Sequence, residues 1–262
     1  MNIDLLYSEL KNRLTTFGHI EVIYHFAANP GVRNSIIEPL KTIQNNICGT
    51  AAILEIAKEL NVPKFIFASS SSVYGNTSEK CKESDKTDLP LSPYASSKKA
   101  AEMLCYNYFI NHSIDISVLR LFTVIGNWGR PDMASYQITK SALCNLPFYI
   151  NGDGNQARDF TFVEDIVDAT LQSTELAGFN ILNISGGNKP ISLLDFIEIH
   201  QKFLKREIKI IHRQLQKSES YQTWADISKT TEILNWQQQY SIDDAVYNSI
   251  SDNDYLNYII KN

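Results

Sequence analysis

The sequence predicts an α/β fold, a doubly wound Rossmann-like parallel sheet with a smaller C-terminal α/β lobe. Short apolar runs of strand type alternate with longer helical segments, the order that builds parallel sheets through crossover helices. The first two strand-like runs end in small or hydroxylated residues, AAN and ASSSS, as open parallel sheets do at their ligand-binding edge. The 262 residues are also enough for a substantial core.

In chain order, residues 3–16 carry Ile3, Leu6, Leu10 and Leu14 on one helical stripe, and 21–27 (EVIYHFA) read as a strand. Residues 36–60 read as one long helix that stops before Pro63, and 64–68 (KFIFA) as the next strand. A helix follows over 94–112, then a strand over 116–122 (ISVLRLF). Its Arg120 either finds a buried partner or sits at an exposed edge. The Gly- and Pro-punctuated segment 123–134 reads as a loop and 135–145 as a helix. Strands 148–150 and 160–162 flank NGDGNQARD, which reads as a hairpin turn. Helix 163–174 opens with acidic residues that suit its dipole. Strand and turn 179–187, helix 191–204 capped near Ser192, strand 208–212, helix 225–234 and a helical stretch after Ser241 complete the chain.

Composition narrows the function. Apolar content of 44% and charged content of 20% argue against disorder. A net charge of −5 without a basic stripe argues against nucleic acid or an anionic membrane surface as partner. Cys48, Cys81, Cys105 and Cys144 show no metal-ligand spacing, and no metal is expected. Cys48 and Cys105 read as buried thiols. His112, His200 and His212 read as surface or partly buried polar residues, His25 as structural, and Trp224 and Trp236 as core. No apolar run reaches a membrane span and the start has no signal-peptide core, so a cytoplasmic protein is expected.

The chemistry concentrates between Lys64 and Glu102. Tyr94 and Lys98, four apart, share one helical face. An ammonium beside a phenol favours the phenolate, which suits proton transfer. Ser70, at the end of the neighbouring strand, is placed to hold the substrate oxygen whose proton Tyr94 takes.

Eight ordered strings carry a resemblance: HFAANPGVRNS (25–35), NICGT (46–50), ASSSSVYG (68–75), SPYASSKKAAE (92–102), LRLFTVIGNWGRPDMA (119–134), NGDGNQARDFTFVEDIVDA (151–169), NISGGNKPISLLDFIE (183–198) and ADISK (225–229). On these the chain resembles the extended short-chain dehydrogenase/reductases, in their nucleotide-sugar epimerase/dehydratase branch, and most closely the UDP-glucuronate 4-epimerases. The resemblance implies Tyr94 as catalytic acid/base, Lys98 as its pKa-lowering partner and nicotinamide-ribose ligand, and Ser70 as catalytic serine, with Ser71 the neighbouring alternative. It implies Ala27 and Ala28 against the cofactor, NAD. It implies Arg33, Ser71, Thr123 and Arg130 on the sugar side and Arg158 on the diphosphate. The implied reaction is transient C4 oxidation with NAD, followed by return of hydride to the other face. Dehydratases carry Asp-Glu after the catalytic threonine, where this chain has Ser71 and Ser72, which argues against dehydration.

Residues 1–145 are expected to form a partial Rossmann-like domain, and 146–262 mainly the substrate lobe, with interleaved segments. A UDP-sugar is the expected substrate and a homodimer the possible assembly. Ala100, Ala101, Leu104 and Tyr108 fit either a dimer face or a core. The family's opening glycine turn, GxxGxxG, and the acidic residue after its second strand have no counterpart here, so the expectation is a chain truncated at its N-terminus by about two βα steps of ~30 residues each. The alternative is an inactive homologue that retains only UDP-sugar binding.

Overall fold

The protein is described from a computed structural model, covering residues 3–77, 79–214 and 220–261. Four strands form a parallel sheet in the order β1 (Val22–His25), β2 (Lys64–Ser70), β3 (Asp115–Leu121) and β8 (Phe179–Ile184). The register runs Ser69 opposite Arg120, and Arg120 opposite Asn183. β2 is buried along its whole length, because helices cover both faces of a parallel sheet.

On one face, Phe65, Phe67, Ile116 and Val118 pack against Leu54 of α4 (Gly49–Glu59) and Ala101 and Cys105 of α5 (Pro93–His112). On the other, Ile66, Leu119, Leu182 and Ile184 meet Ile166 and Ala169 of α7 (Val163–Gln172) and the buried Trp236. The alternation of side chains along each strand thus feeds two cores. α5 starts where Ser92 accepts a hydrogen bond from Ala95 N and Pro93 occupies the first turn.

A third core lies beyond the sheet. Phe160 of β7 (Phe160–Phe162) stacks on Phe196 of α8 (Leu193–Leu204) at 4.1 Å between ring centroids. Ile138 of α6 (Ala134–Cys144) and Val246 of α10 (Ile242–Ser251) complete it. Capping boxes Ser192–Asp195 and Ser241–Asp244 start α8 and α10.

Several readings from sequence are corrected. The helix expected over 36–60 is broken into α2 (Val32–Ile37), α3 (Pro39–Ile43), a π-helical turn (Gln44–Cys48) and α4. Glu38, driven out of helical geometry at φ −123° and ψ 62° ahead of Pro39, makes the break. The segment 123–134 begins with a strand, β4 (Thr123–Ile125), paired in parallel with β7. The expected hairpin is absent: β5 (Phe148–Asn151) pairs in parallel with β10 (Ile210–Arg213). Between β5 and β7, β6 (Ala157–Arg158) pairs with β9 (Ile191–Ser192) and β11 (Gln222–Thr223).

Cys48 is exposed, because the π turn rotates it outward, whereas Cys105 is buried as expected. His200 is fully buried, its ring nitrogens bonded to Phe196 O at 2.8 Å and Ser135 Oγ at 3.2 Å. Trp236 is core, but Trp224 is only half-buried, with Lys80 over its ring. The side chains of Ile3 and Leu6 lie outside those described. Among the described residues no helix is long and apolar enough to cross a membrane, and no His/Cys/Asp/Glu group has metal-binding geometry.

Candidate active site

The carboxyl ends of β2 and β3 and the first turns of α5 meet at one edge of the sheet. Ser70 ends β2 and caps a 3₁₀ turn (Ser71–Tyr74), its Oγ accepting from Ser72 N at 3.2 Å and donating to Ser72 Oγ at 3.0 Å. Tyr94, in the first turn of α5, faces Ser70, whose hydroxyl is close enough to act on its phenol. Lys98, one turn on, is 4% exposed and donates to Ala68 O at 2.6 Å. Ser70 therefore faces Tyr94, and Lys98 follows one turn on along α5, anchored to the end of β2.

The electrostatics follow from burial. Burial raises the Tyr94 phenol above its ordinary value, while the Ser70 hydroxyl and the Arg130 charge pull it back. Burial lowers Lys98 to about 8, against the pull of Cys105 and Glu102. His25, at the end of β1, is held neutral with a pKa lowered to about 4 by burial and by Lys98. It bonds Thr50 Oγ1 at 3.0 Å and stacks on Phe67.

Arg130 pairs with Asp132 at 3.0 Å and its guanidinium lies beside Gly31, so the 126–133 loop faces the loop after β1. Thr123, Gly129 and Met133 line a small cavity of about 40 Å³ with Tyr136 and Tyr255. Trp128 covers this region, packed on Tyr255 and Tyr258 with more than half its surface exposed. Ser71 opens the 3₁₀ turn next to Ser70, and Ala27 and Ala28 form the loop after β1. Arg33 lies on the exposed side of α2. Arg158 stands apart. Its guanidinium donates to the carbonyls of Ser220 and Tyr221, and it lines a cleft of about 600 Å³ with Asn188, Lys189 and Gln238, none of which belongs to the Ser70–Tyr94–Lys98 set.

Sequence reasoning missed two supports. Asn46, turned inward by the π helix, donates to Ser97 Oγ at 2.9 Å and to Asn29 O at 3.2 Å, joining α5 to the loop after β1. Glu102 of α5 forms a buried pair with Arg120 at 2.8 Å, which resolves the alternative left open for Arg120. The signal for Glu102 was present, a carboxylate one turn after Lys98 on the same face.

A parallel sheet with a Tyr–Lys pair and a serine at its carboxyl edge defines the class of Rossmann-fold enzymes that move a proton at a hydroxyl. Family comparison agrees: the GDP-mannose 4,6 dehydratase model matches residues 2–249. A UDP-glucuronate 4-epimerase of Thermodesulfobacterium geofontis is 40% identical over 94% of this chain and 76% of that protein. Protein CapI of Staphylococcus aureus is 35% identical over 86% of this chain and 73% of its own. The structure of the Bacillus cereus UDP-glucuronic acid 4-epimerase in complex with UDP-glucuronic acid and NAD superposes with a TM-score of 0.88 at 36% identity, over 99% of this chain and 81% of that one. The chain belongs to the nucleotide-sugar epimerase/dehydratase family of extended short-chain dehydrogenase/reductases.

Proposed function

We propose that the protein is a nucleotide-sugar 4-epimerase that interconverts UDP-glucuronate and UDP-galacturonate with NAD. The observation that carries the proposal is Ser70 facing Tyr94 at the end of β2 with Lys98 buried one turn along α5, in a chain 40% identical to a UDP-glucuronate 4-epimerase.

The residues present fit the nicotinamide-ribose end of the cofactor. Lys98 spends one of its three N–H donors on Ala68 O, which leaves donors for ribose hydroxyls. Ala27 and Ala28 offer backbone and little side-chain bulk beside it. When bound, NAD⁺ supplies the acceptor and donor of hydride at C4 of the sugar.

Every other step belongs to this chain. Ser70 orients the C4 oxygen by hydrogen bonding. Tyr94, as phenolate, takes the hydroxyl proton and later returns it. Lys98 favours that phenolate by its charge. Arg130 and Thr123 face the sugar carboxylate, with Arg33 and Ser71 closing the same side, because a planar guanidinium fork suits a carboxylate. Arg158 serves the diphosphate from the C-terminal lobe, residues 146–262, while residues 1–145 carry the catalytic set. Ser71 and Ser72, in place of an acid–base pair, favour epimerisation over loss of water.

Assembly as a homodimer through α5 is part of the same reading. Met103, Tyr106 and Ile110 are its exposed apolar residues, whereas Ala101 and Tyr108 are core.

The test is conversion of UDP-glucuronate followed by chromatography with NAD⁺ added, alongside calorimetric titration with NAD⁺ and with UDP. Conversion that vanishes in Tyr94→Phe while UDP-sugar binding persists is the expected result. Wild-type protein that binds both ligands yet leaves the sugar unchanged would refute the assignment.

A further inference from the structure

Tyr94, Lys98 and Glu102 lie on three successive turns of α5 and face the same way. The proposed reaction uses the first two. Glu102 is as deeply buried as Lys98, at 2% exposure, and takes no part in that chemistry. Its carboxylate accepts two parallel bonds from Arg120, Nε to Oε1 at 2.9 Å and Nη2 to Oε2 at 2.8 Å, and a third from Ser69 Oγ at 2.6 Å. Arg120 is held in turn by Tyr74 Oη at 3.0 Å and the Glu83 carbonyl at 3.4 Å, and Tyr74 donates to Asn183 Oδ1 at 2.6 Å. Ser69, Arg120 and Asn183 stand side by side on β2, β3 and β8, so the pair ties three strands to the catalytic helix.

A buried ion pair is a poor way to gain stability, since desolvation of two charges offsets most of their attraction. What this one adds is a fixed negative charge one turn from Lys98. The groups that face Lys98 are Glu102 and Cys105 on α5, the Ala68 carbonyl and Phe67 ring on β2, and His25 on β1. Burial keeps the Cys105 thiol and the His25 ring neutral at pH 7. Glu102 is the one carboxylate among them, with Lys99 at 3.5 Å and Arg120 as its cationic neighbours.

We propose that Glu102, clamped by Arg120, is a positioning residue for Lys98: it holds α5 against the end of β2 and keeps the lysine ammonium charged in an otherwise apolar setting. Burial works to neutralise Lys98, and the Glu102 carboxylate is one of the groups that oppose it. Arg120 is needed because an uncompensated carboxylate at this depth would itself take up a proton. The inference builds on Lys98 as the partner of Tyr94, but it is read without turnover, so it stands or falls apart from the epimerase assignment.

The experiment is NMR titration of ¹³C-labelled lysine in the full chain, with the Lys98 resonance assigned by its loss in Lys98→Met. Glu102→Gln removes the carboxylate and leaves Arg120 positive. The Lys98 midpoint is expected to fall by about one pH unit, the effect of a nearby charge. Arg120→Met leaves the carboxylate uncompensated, so that it takes up a proton, and the Lys98 midpoint falls there too. A merely structural role predicts something else: a loosened helix admits water and raises the midpoint in both variants. The double variant Glu102→Gln/Arg120→Met leaves no buried charge unpaired. Should Glu102→Gln fail to fold, a fall in the double variant supports the proposal. A midpoint that is unchanged or raised in Glu102→Gln, or in the double variant where the single one does not fold, overturns it.

Discussion

His200 offers a direct test of how burial shapes the acid stability of this protein. Its ring is fully buried between α8 and α6 and its pKa is lowered to about 4 by that burial, against a bond to Phe196 O. His25 is lowered to about 4 as well. For such a group the folded pKa lies below the unfolded one. It therefore costs nothing above about pH 6.5, and stability is lost as pH falls from 6.5 towards 4, because only the unfolded chain takes up the proton. Between pH 7 and 4.5 each histidine withdraws roughly 2.5 kcal/mol by linkage. Asp159 runs the other way. Burial raises it to about 6, so its folded pKa lies above the unfolded value and it returns about 2 kcal/mol over the same interval. The net expectation for wild type is a loss of about 3 kcal/mol, a large part of a typical stability of about 5–15 kcal/mol. His200→Gln keeps a donor and an acceptor but cannot titrate. It should lose stability at pH 7 by about 1–2 kcal/mol and yet flatten the pH dependence by roughly 2.5 kcal/mol. Urea unfolding of both proteins at pH 7, 6, 5 and 4.5 measures this. Identical slopes for wild type and His200→Gln would refute the reasoning.

Three further outcomes follow from packing and charge. Phe196→Ala removes a buried ring stacked on Phe160 and should lower stability by about 3–5 kcal/mol, read from the urea midpoint. Gly75→Ala places a Cβ 2.5 Å from the Leu89 carbonyl oxygen at a φ of +71°, so the Leu89 backbone must shift. A cost of at least about 1–3 kcal/mol is expected in a thermal melt. Arg130→Leu should raise the KM for UDP-glucuronate about ten- to a hundredfold, the worth of a charged hydrogen bond, while UDP alone binds as before. Equal losses for UDP and UDP-glucuronate would move Arg130 from the carboxylate to the phosphates.

The parts of the fold that were legible in the sequence are those set by local periodicity. Strands β1, β2, β3 and β8 announce themselves as apolar runs, and α5 follows as the long helical stretch read over 94–112. Tyr94 and Lys98 were legible because helical spacing alone puts them on one face. What failed depends on partners far away in sequence. β4 looks like loop because three residues carry no pattern until β7 lies beside them. The 148–162 segment resembles a hairpin because glycine-rich turns look alike, whether the strands they leave pair with each other or with a strand from residue 210. His200 reads as a polar residue on a helix, and only the packing of α6 onto α8 removes it from water. Arg158 carries a motif that promises a diphosphate ligand, yet its present neighbours are backbone carbonyls at 220 and 221. Glu102 was overlooked because its meaning rests on an arginine two strands' length away.

The sheet order also sets a timetable for synthesis. β3 is complete once Leu121 has been made, but its second neighbour, β8, ends only at Ile184. About 60 residues must leave the ribosome in the meantime, which takes roughly 3–12 s at typical elongation rates. Through that interval the Ile116, Val118 and Arg120 side of β3 has no strand to its right, and the nascent chain presents a sticky parallel edge. Chaperone occupancy on stalled nascent chains should accordingly persist past residue 121 and fall away only when the segment through 184 has emerged.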